Sequence, residues 1–341
     1  MPFVSTCPKP RQRGYSTARL LPTVLAIAVA ALGAQVPAQD TVRGQSPPVV
    51  FRTETDLVVL QVSVVDPQHR FVADLGAADF GVYEEGERQE VATFVSTTAP
   101  LDLMLLLDTS SSMQPNLRLA QRAAINLIHA LKPQDRAAVV FFNDRVIVKE
   151  PLTSDIHRLE SAIRDSSARG TTALYEALYT AQHELTRARP DGIELRRQAV
   201  VVLTDGDDTR SAISFADVLD QAQRSAVTVF TITPSAAVDE PNRLEYDQKI
   251  RFGMRQLAEI TGGRAFAPAG FASVATIYDE IAAELSQQYW LGYVPSARQA
   301  AGFRRVSVRV ETRPGLRART RTGYYSTIRR AVAPAGPGIA R

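Results

Sequence analysis

Three short stretches carry the residue types from which a binding site could be built. In LDLMLLLDTSSSM, Leu101 to Met113, an apolar run ends in Asp108, and Ser110 and Ser112 follow at spacings of two and four. In RGTTALYEAL, Gly170, Thr171 and Thr172 stand just ahead of a helical pattern. In VVVLTDGDD, Asp205 follows the apolar run Val200 to Leu203 inside a glycine-containing loop. Every donor in the set Asp108, Ser110, Ser112, Thr172 and Asp205 is an oxygen. Hard divalent cations such as Mg²⁺ take oxygen ligands in octahedral geometry, whereas softer metals select Cys or His. Taken alone, Asp108 with its two serines reads first as a helix cap, because their oxygens accept free backbone N–H groups. With Thr172 and Asp205 added, a metal site is the stronger reading.

Other chemistries have less behind them. Asp207 and Asp208 are closely spaced carboxylates, the pattern of acid–base work, but they read better as exposed loop acids that tune the site from outside. The four histidines, His69, His129, His157 and His183, share no ligand-like spacing. No G-x-S-x-G occurs, so a serine hydrolase is not indicated. Asp79-Phe80-Gly81 spells a kinase tripeptide without the glycine-rich loop or H-R-D that would go with it, and reads as the start of a strand.

The three loops can meet only if the strands before them end side by side. From Pro100 onward, apolar strands alternate with helices: strands at 101–107, 137–142, 146–148, 198–203, 227–233 and 264–267, helices at 116–131, 156–163, 173–185, 215–224, 252–260 and 274–288. Strands without polar interiors have both faces covered, which predicts an α/β fold with a doubly wound, mostly parallel sheet. Ligands of such sheets gather at the carboxyl ends of the strands.

With these residues in place, the chain resembles the von Willebrand factor A (VWA) domain and its metal-ion-dependent adhesion site (MIDAS). The family motif Asp-x-Ser-x-Ser, then Thr, then Asp is matched by Asp108-x-Ser110-x-Ser112, Thr172 and Asp205. GTTALYEAL is similar to the family's GGTALYDAL, so Thr171 stands at a glycine position. The resemblance covers about residues 98–290 and implies a Rossmann-like VWA fold. It also implies that the two serines and the threonine touch Mg²⁺ (or Mn²⁺ or Ca²⁺) directly, while the aspartates act through water or hydrogen bonds. A cation so weakly neutralised accepts an Asp or Glu from a protein ligand. The implied activity is metal-dependent protein binding, not catalysis. A metal-dependent hydrolase using the same ion as Lewis acid, and a scaffold whose metal is only structural, are the alternatives.

The flanks return to β patterning. Residues 51–97 hold TDLVVLQVSVVD and DFGVYEEGERQEV; residues 291–328 hold FRRVSVRVET, alternating through Val306, Val308 and Val310, and the returning strand LRARTRTGYY. Both are similar to the flanks of exported bacterial VWFA-related proteins, and together they predict a smaller β-sandwich-like module. Arg305, Arg309, Arg317, Arg319 and Arg321 read either as a solvated sheet surface or as one basic face for an anionic envelope polymer or acidic partner. Tyr289, Trp290 and Tyr293 read as packing at the junction after the last helix.

Residues 1–38 read as an export signal. Lys9, Arg11, Arg13 and Arg19 lead without an acid, an apolar segment follows, and cleavage is expected near Ala38. A short linker at 39–50 and a disordered tail at 329–341 complete the organisation. The chain has 39 basic and 36 acidic residues; four of the basic ones lie in the leader, which leaves 35 against 36. The pI near 9.1 is therefore no argument for nucleic acid, and none is expected as a partner. The expected place is the periplasm, cell envelope or exterior. A single cysteine, Cys7, excludes an internal disulfide or thiolate cage, so stability rests on a core that 45% apolar residues can supply.

Overall fold

Two hydrophobic periods divide the molecule. Strands that are mostly apolar on both faces build a central sheet, and strands that alternate build a sandwich beside it. The computed structural model describes residues 57–96, 99–188, 196–235, 243–295 and 301–326. The export signal at 1–38, the linker at 39–50 and the tail at 329–341 lie outside the described residues.

The chain begins with β1 (Val58–Val65), β2 (Phe80–Glu84), β3 (Glu87–Gln89) and β4 (Val91–Ser96). There follow β5 (Leu101–Asp108), α1 (Leu117–His129), β6 (Arg136–Phe142), β7 (Val146–Thr153), α2 (Ile156–Arg164) and α3 (Leu174–Arg187). Next come β8 (Arg197–Leu203), α4 (Phe215–Arg224), β9 (Thr228–Ile232), α5 (Arg243–Thr261), β10 (Ala265–Phe266) and α6 (Val274–Ser286). The last strands are β11 (Tyr289–Tyr293), β12 (Gly302–Val310), β13 (Arg317–Arg319) and β14 (Gly323–Ser326).

The central sheet has the order β10-β9-β8-β5-β6-β7. All its pairings are parallel except β6 with β7. Every residue of β5 is buried. Leu101, Leu103, Leu105 and Leu107 join one core with α1, α2 and α6, while Met104 and Leu106 join the other with α3, α4 and α5. Burying one leucine side chain is worth about 1.5–3 kcal/mol, so β5 alone anchors both layers. After β5 the chain winds outward through β6 and β7, then returns on the other side as β8 and β9. This reversal opens a crevice at the carboxyl ends of β5 and β8, where a doubly wound sheet binds its ligands. The fold class read from the sequence is the fold observed. The edge strand β7 carries Lys149 and Pro151, residues that discourage pairing with another chain.

The sandwich is two antiparallel sheets, β13-β1-β11-β4 and β14-β12-β2-β3. Val58, Leu60, Val62 and Val64 of β1 face Phe80, Val82, Val306 and Val308 across a shared core. Strands from before and after the central sheet pair with each other: β4 lies against β11, with Ser96 opposite Tyr289. Within this core, buried Glu84 accepts from Arg304 Nη1 (2.9 Å), Tyr293 Oη (2.6 Å) and Tyr324 Oη (3.0 Å). Burial and the bond to Glu84 push the Tyr293 hydroxyl well above its ordinary range.

Several local readings change. Tyr289, Trp290 and Tyr293 belong to β11, an inner strand of the sandwich, and α6 stops at Ser286 rather than Gln288. Tyr289 Oη donates to Val72 O (2.8 Å), and its ring packs against Phe80 and Phe94. The returning strand at 316–325 is two strands. β13 pairs with β1, and only β14 pairs with β12. The break falls where Thr322 N donates to Ile260 O (3.1 Å) at the end of α5. Gly262, at φ +80°, allows this approach; a Cβ there would stand 2.6 Å from Arg321 N.

The five arginines consequently do not form one basic face. Arg305 and Arg309 lie on β12, while Arg317 and Arg319 lie on β13 in the other sheet. Arg319 pairs with Glu284, buried on α6, and Arg321 Nη2 donates to Val59 O (3.2 Å). Arg305 pairs with Glu85 (3.4 Å), and Arg309 lies over the Tyr83 ring.

Candidate metal centre

Asp108 is the last residue of β5 and is sealed from solvent. Its Oδ1 accepts from Ser110 N (2.8 Å) and its Oδ2 from the Thr204 hydroxyl (2.6 Å). One carboxylate thus ties the loop after β5 to the loop after β8. Ser110 Oγ and Ser112 Oγ stand 3.0 Å apart, and Ser112 Oγ donates to Asp205 Oδ1 (2.7 Å).

Thr172 is buried in the second loop, ahead of α3. It reaches the others at Gly206: the point where a Cβ would sit is 3.8 Å from Thr172 Oγ1 and 3.9 Å from Ser112 Oγ. The structure therefore brings all five residues singled out in the sequence to one place. Asp108, Ser110, Ser112 and Asp205 are linked by hydrogen bonds, and Thr172 adjoins them across Gly206.

The cap reading fails on position. Helix α1 starts at Leu117, and its N-terminal residue Asn116 makes no side-chain cap. The serine hydroxyls bond to each other and to Asp205 instead. Electrostatics favour a cation. Burial pushes the Asp108 carboxyl up to about 6 against the pull of Ser110 and Thr204, and the charge of Asp205 pushes the same way. Among the described residues no group of three or more His, Cys, Asp or Glu gathers to hold a metal. The chemistry of this donor set, buried hydroxyls beside carboxylates, fits a hard divalent ion.

Neighbouring residues lock the loops to one another. Ser111 N donates to Gly170 O (3.0 Å) and Arg169 N to Thr109 O (2.8 Å), which joins the first loop to the second. Thr209 N donates to Thr172 O (2.9 Å), while Thr172 N donates to Thr209 Oγ1 (3.1 Å), which joins the second to the third. Asp207 and Asp208 are half-buried rather than exposed. Asp208 accepts from Tyr175 N (3.1 Å) in the first turn of α3 and from the Ser211 hydroxyl (2.6 Å), while the Tyr175 hydroxyl bonds to Asp207. Their work is to cap α3 and fold the third loop. Thr204, Thr209 and Ser211 escaped the sequence reading; the only signal was their place beside Asp205 in one short polar loop.

The family model for the von Willebrand factor type A domain matches residues 102–280. An uncharacterized protein of Synechocystis sp. is 33% identical over 113 residues, 32% of this chain and 26% of the relative, so the chain spans about a quarter of that protein's length. A von Willebrand factor type A structure from Catenulispora acidiphila is similar over 70% of this chain and 71% of its own, at 16% identity and a TM-score of 0.46. The vWF domain of the type V pili tip protein Mfa5 from Porphyromonas gingivalis is similar over 54% of this chain and 94% of its own, at 14% identity and a TM-score of 0.44. Proximal thread matrix protein 1 from the mussel byssus, with zinc in its MIDAS motif, covers 61% of this chain and 50% of its own, at 18% identity and a TM-score of 0.44. The family model spans just over half of the 341 residues, and the chain belongs to the von Willebrand factor type A domain family.

Proposed function

We propose that this chain is an exported interaction module that captures a protein ligand through a divalent cation held at the carboxyl end of β5. Ser110, Ser112 and Thr172 hold the ion directly, and Asp108 and Asp205 support it through hydrogen bonds or water. The ion is Mg²⁺, with Mn²⁺ or Ca²⁺ as substitutes, and it supplies a Lewis-acidic position for an Asp or Glu of the partner. The observation that carries this reading is the convergence of three loops on one chain of hydroxyls and carboxylates, from Ser110 through Ser112 to Asp205, with Thr172 beside it. Binding is favoured over hydrolysis because Asp207 and Asp208 already hold α3 and its neighbouring loop, which leaves neither poised as a base.

The envelope or exterior as location, and the envelope as the source of partners, rest on the leader at 1–38. Among the described residues no helix is long and apolar enough to cross a membrane.

Calorimetric titration with MgCl₂ tests the ion. The wild-type chain is expected to bind one equivalent, and Ser110→Ala to bind none at the same concentrations. A pull-down from envelope extract, run in Mg²⁺ and in EDTA, tests the partner. Equal capture by wild type and Ser110→Ala, or capture that ignores EDTA, overturns the proposal.

A further inference from the structure

The site has a fourth wall that the motif does not name. The turn between β6 and β7 places Asn143 and Asp144 against the same loops. Asn143 is buried; its carbonyl accepts from Ala173 N (2.8 Å), and its Nδ2 donates to Thr109 Oγ1 (3.2 Å). Asp144 Oδ1 accepts from Thr171 N (2.8 Å) and from the Thr171 hydroxyl (2.5 Å). Thr171 and Ala173 are the two neighbours of Thr172, so consecutive residues of one turn hold the chain on both sides of it. Thr109 lies between Asp108 and Ser110. Gly170 makes room for this contact: at φ +76°, a Cβ on it would stand 2.3 Å from Asp144 Oδ2.

We infer that Asp144 is a positioning residue for Thr172 and that it sets the ion affinity of the site through the Thr171 peptide; the inference rests on the metal reading above. Thr171 reaches Asp144 with both its peptide N–H and its hydroxyl. A glycine there offers one backbone donor and a looser chain. Thr171 offers two donors to a single carboxylate oxygen and a β-branched side chain that restricts rotation. The direction of the next residue, and so of the Thr172 hydroxyl, is fixed from outside the site. Partners of this kind, which touch a ligand-bearing segment but not the metal, change affinity by about 10–100-fold when removed.

The test uses the full chain and MgCl₂ alone, with Asp144→Ala and Asp144→Asn. Asp144→Ala is expected to weaken Mg²⁺ binding by about tenfold or more. Asp144→Asn keeps an oxygen that accepts from Thr171, and is expected to restore binding close to wild type. A second readout needs no ion: in EDTA, hydrogen exchange at Thr171 and Ala173 is expected to speed up in Asp144→Ala and not in Asp144→Asn, while β5 and β8 keep their protection. Asp144→Ala binding as wild type does, with unchanged exchange, overturns this inference alone. Asp144→Asn as weak as Asp144→Ala overturns it in favour of a charge effect. A wild-type chain that takes up no Mg²⁺ overturns the metal reading and this inference together.

Discussion

Glu84 and Asp108 are both sealed from solvent, each at 0% exposure, yet the chain surrounds them in opposite ways. Glu84, between the sandwich sheets, meets the guanidinium of Arg304 and two tyrosine hydroxyls. Its charge is balanced by the fold itself. Among the described residues, Asp108 is bonded only by neutral donors, Ser110 and Thr204, with the carboxylate of Asp205 nearby. A buried charge without a countercharge is costly. The same residue class and the same burial thus come with a countercharge in one place and with neutral donors alone, among the described residues, in the other.

The largest test of this contrast is Arg304→Met. Breaking one partner of a buried ion pair costs about 3–5 kcal/mol, so urea unfolding is expected to shift by that amount. A shift below about 1 kcal/mol would show that Glu84 is not balanced as described. The next effect belongs to the site. At a Mg²⁺ concentration about 100 times the dissociation constant, ion binding stabilises the wild type by about 2.7 kcal/mol. Ser110→Ala is expected to lose that gain, while differing from wild type in EDTA by no more than about 1 kcal/mol. Equal Mg²⁺ stabilisation of both chains would erase the contrast from the other side.

Thr204→Val comes third. It takes one donor from Asp108, and leaving a buried acceptor short costs about 1–3 kcal/mol. Melting in EDTA should fall, and Mg²⁺ should restore part of the loss. No change in melting would mean that Thr204 does not hold Asp108. The smallest effect concerns an exposed carboxylate, Asp217, in the capping box at the start of α4. The Ser214 side chain holds its carboxyl below the usual 3.8. Its stabilising contribution is therefore present above pH 3.8 and is lost as pH falls through the lowered value. Ser214→Ala should lower the urea midpoint slightly at pH 7, and the difference should narrow in acid to what the loss of the pH-independent bond from Asp217 N to Ser214 Oγ (3.3 Å) leaves. A difference that does not narrow at all as pH falls from neutrality through the acid range would rule out this origin.

Continuous apolar runs such as Leu103 to Leu107 announced a sheet covered on both faces, and the strict alternation of Val306, Val308 and Val310 announced a half-covered strand. What stayed hidden were pairings between distant segments. Residues 316–325 look like the second arm of a hairpin, but β13 finds β1 instead, and no local pattern records that choice. YWLGY follows a helix directly and shows no period to separate it from the junction. The site divides in the same way. Asp108, Ser110, Ser112, Thr172 and Asp205 stand in motif spacing and could be read directly. Thr204 acts on a residue 96 positions away through one hydrogen bond and Asp144 on one 27 positions away through two, and composition reveals none of them.

Ser96 opposite Tyr289 has a mechanical meaning. The central α/β unit leaves the sandwich along β4 and rejoins it along β11, two neighbouring antiparallel strands whose ends lie together. Tension on that unit from a captured partner would pull both strands in one direction, along their axes. The load would pass by shear into β1, which pairs with β11 on its far side. Shear strains many backbone bonds at once rather than opening them one by one, so the connection between the α/β unit and the sandwich is carried within a single sheet, along β4, β11 and β1.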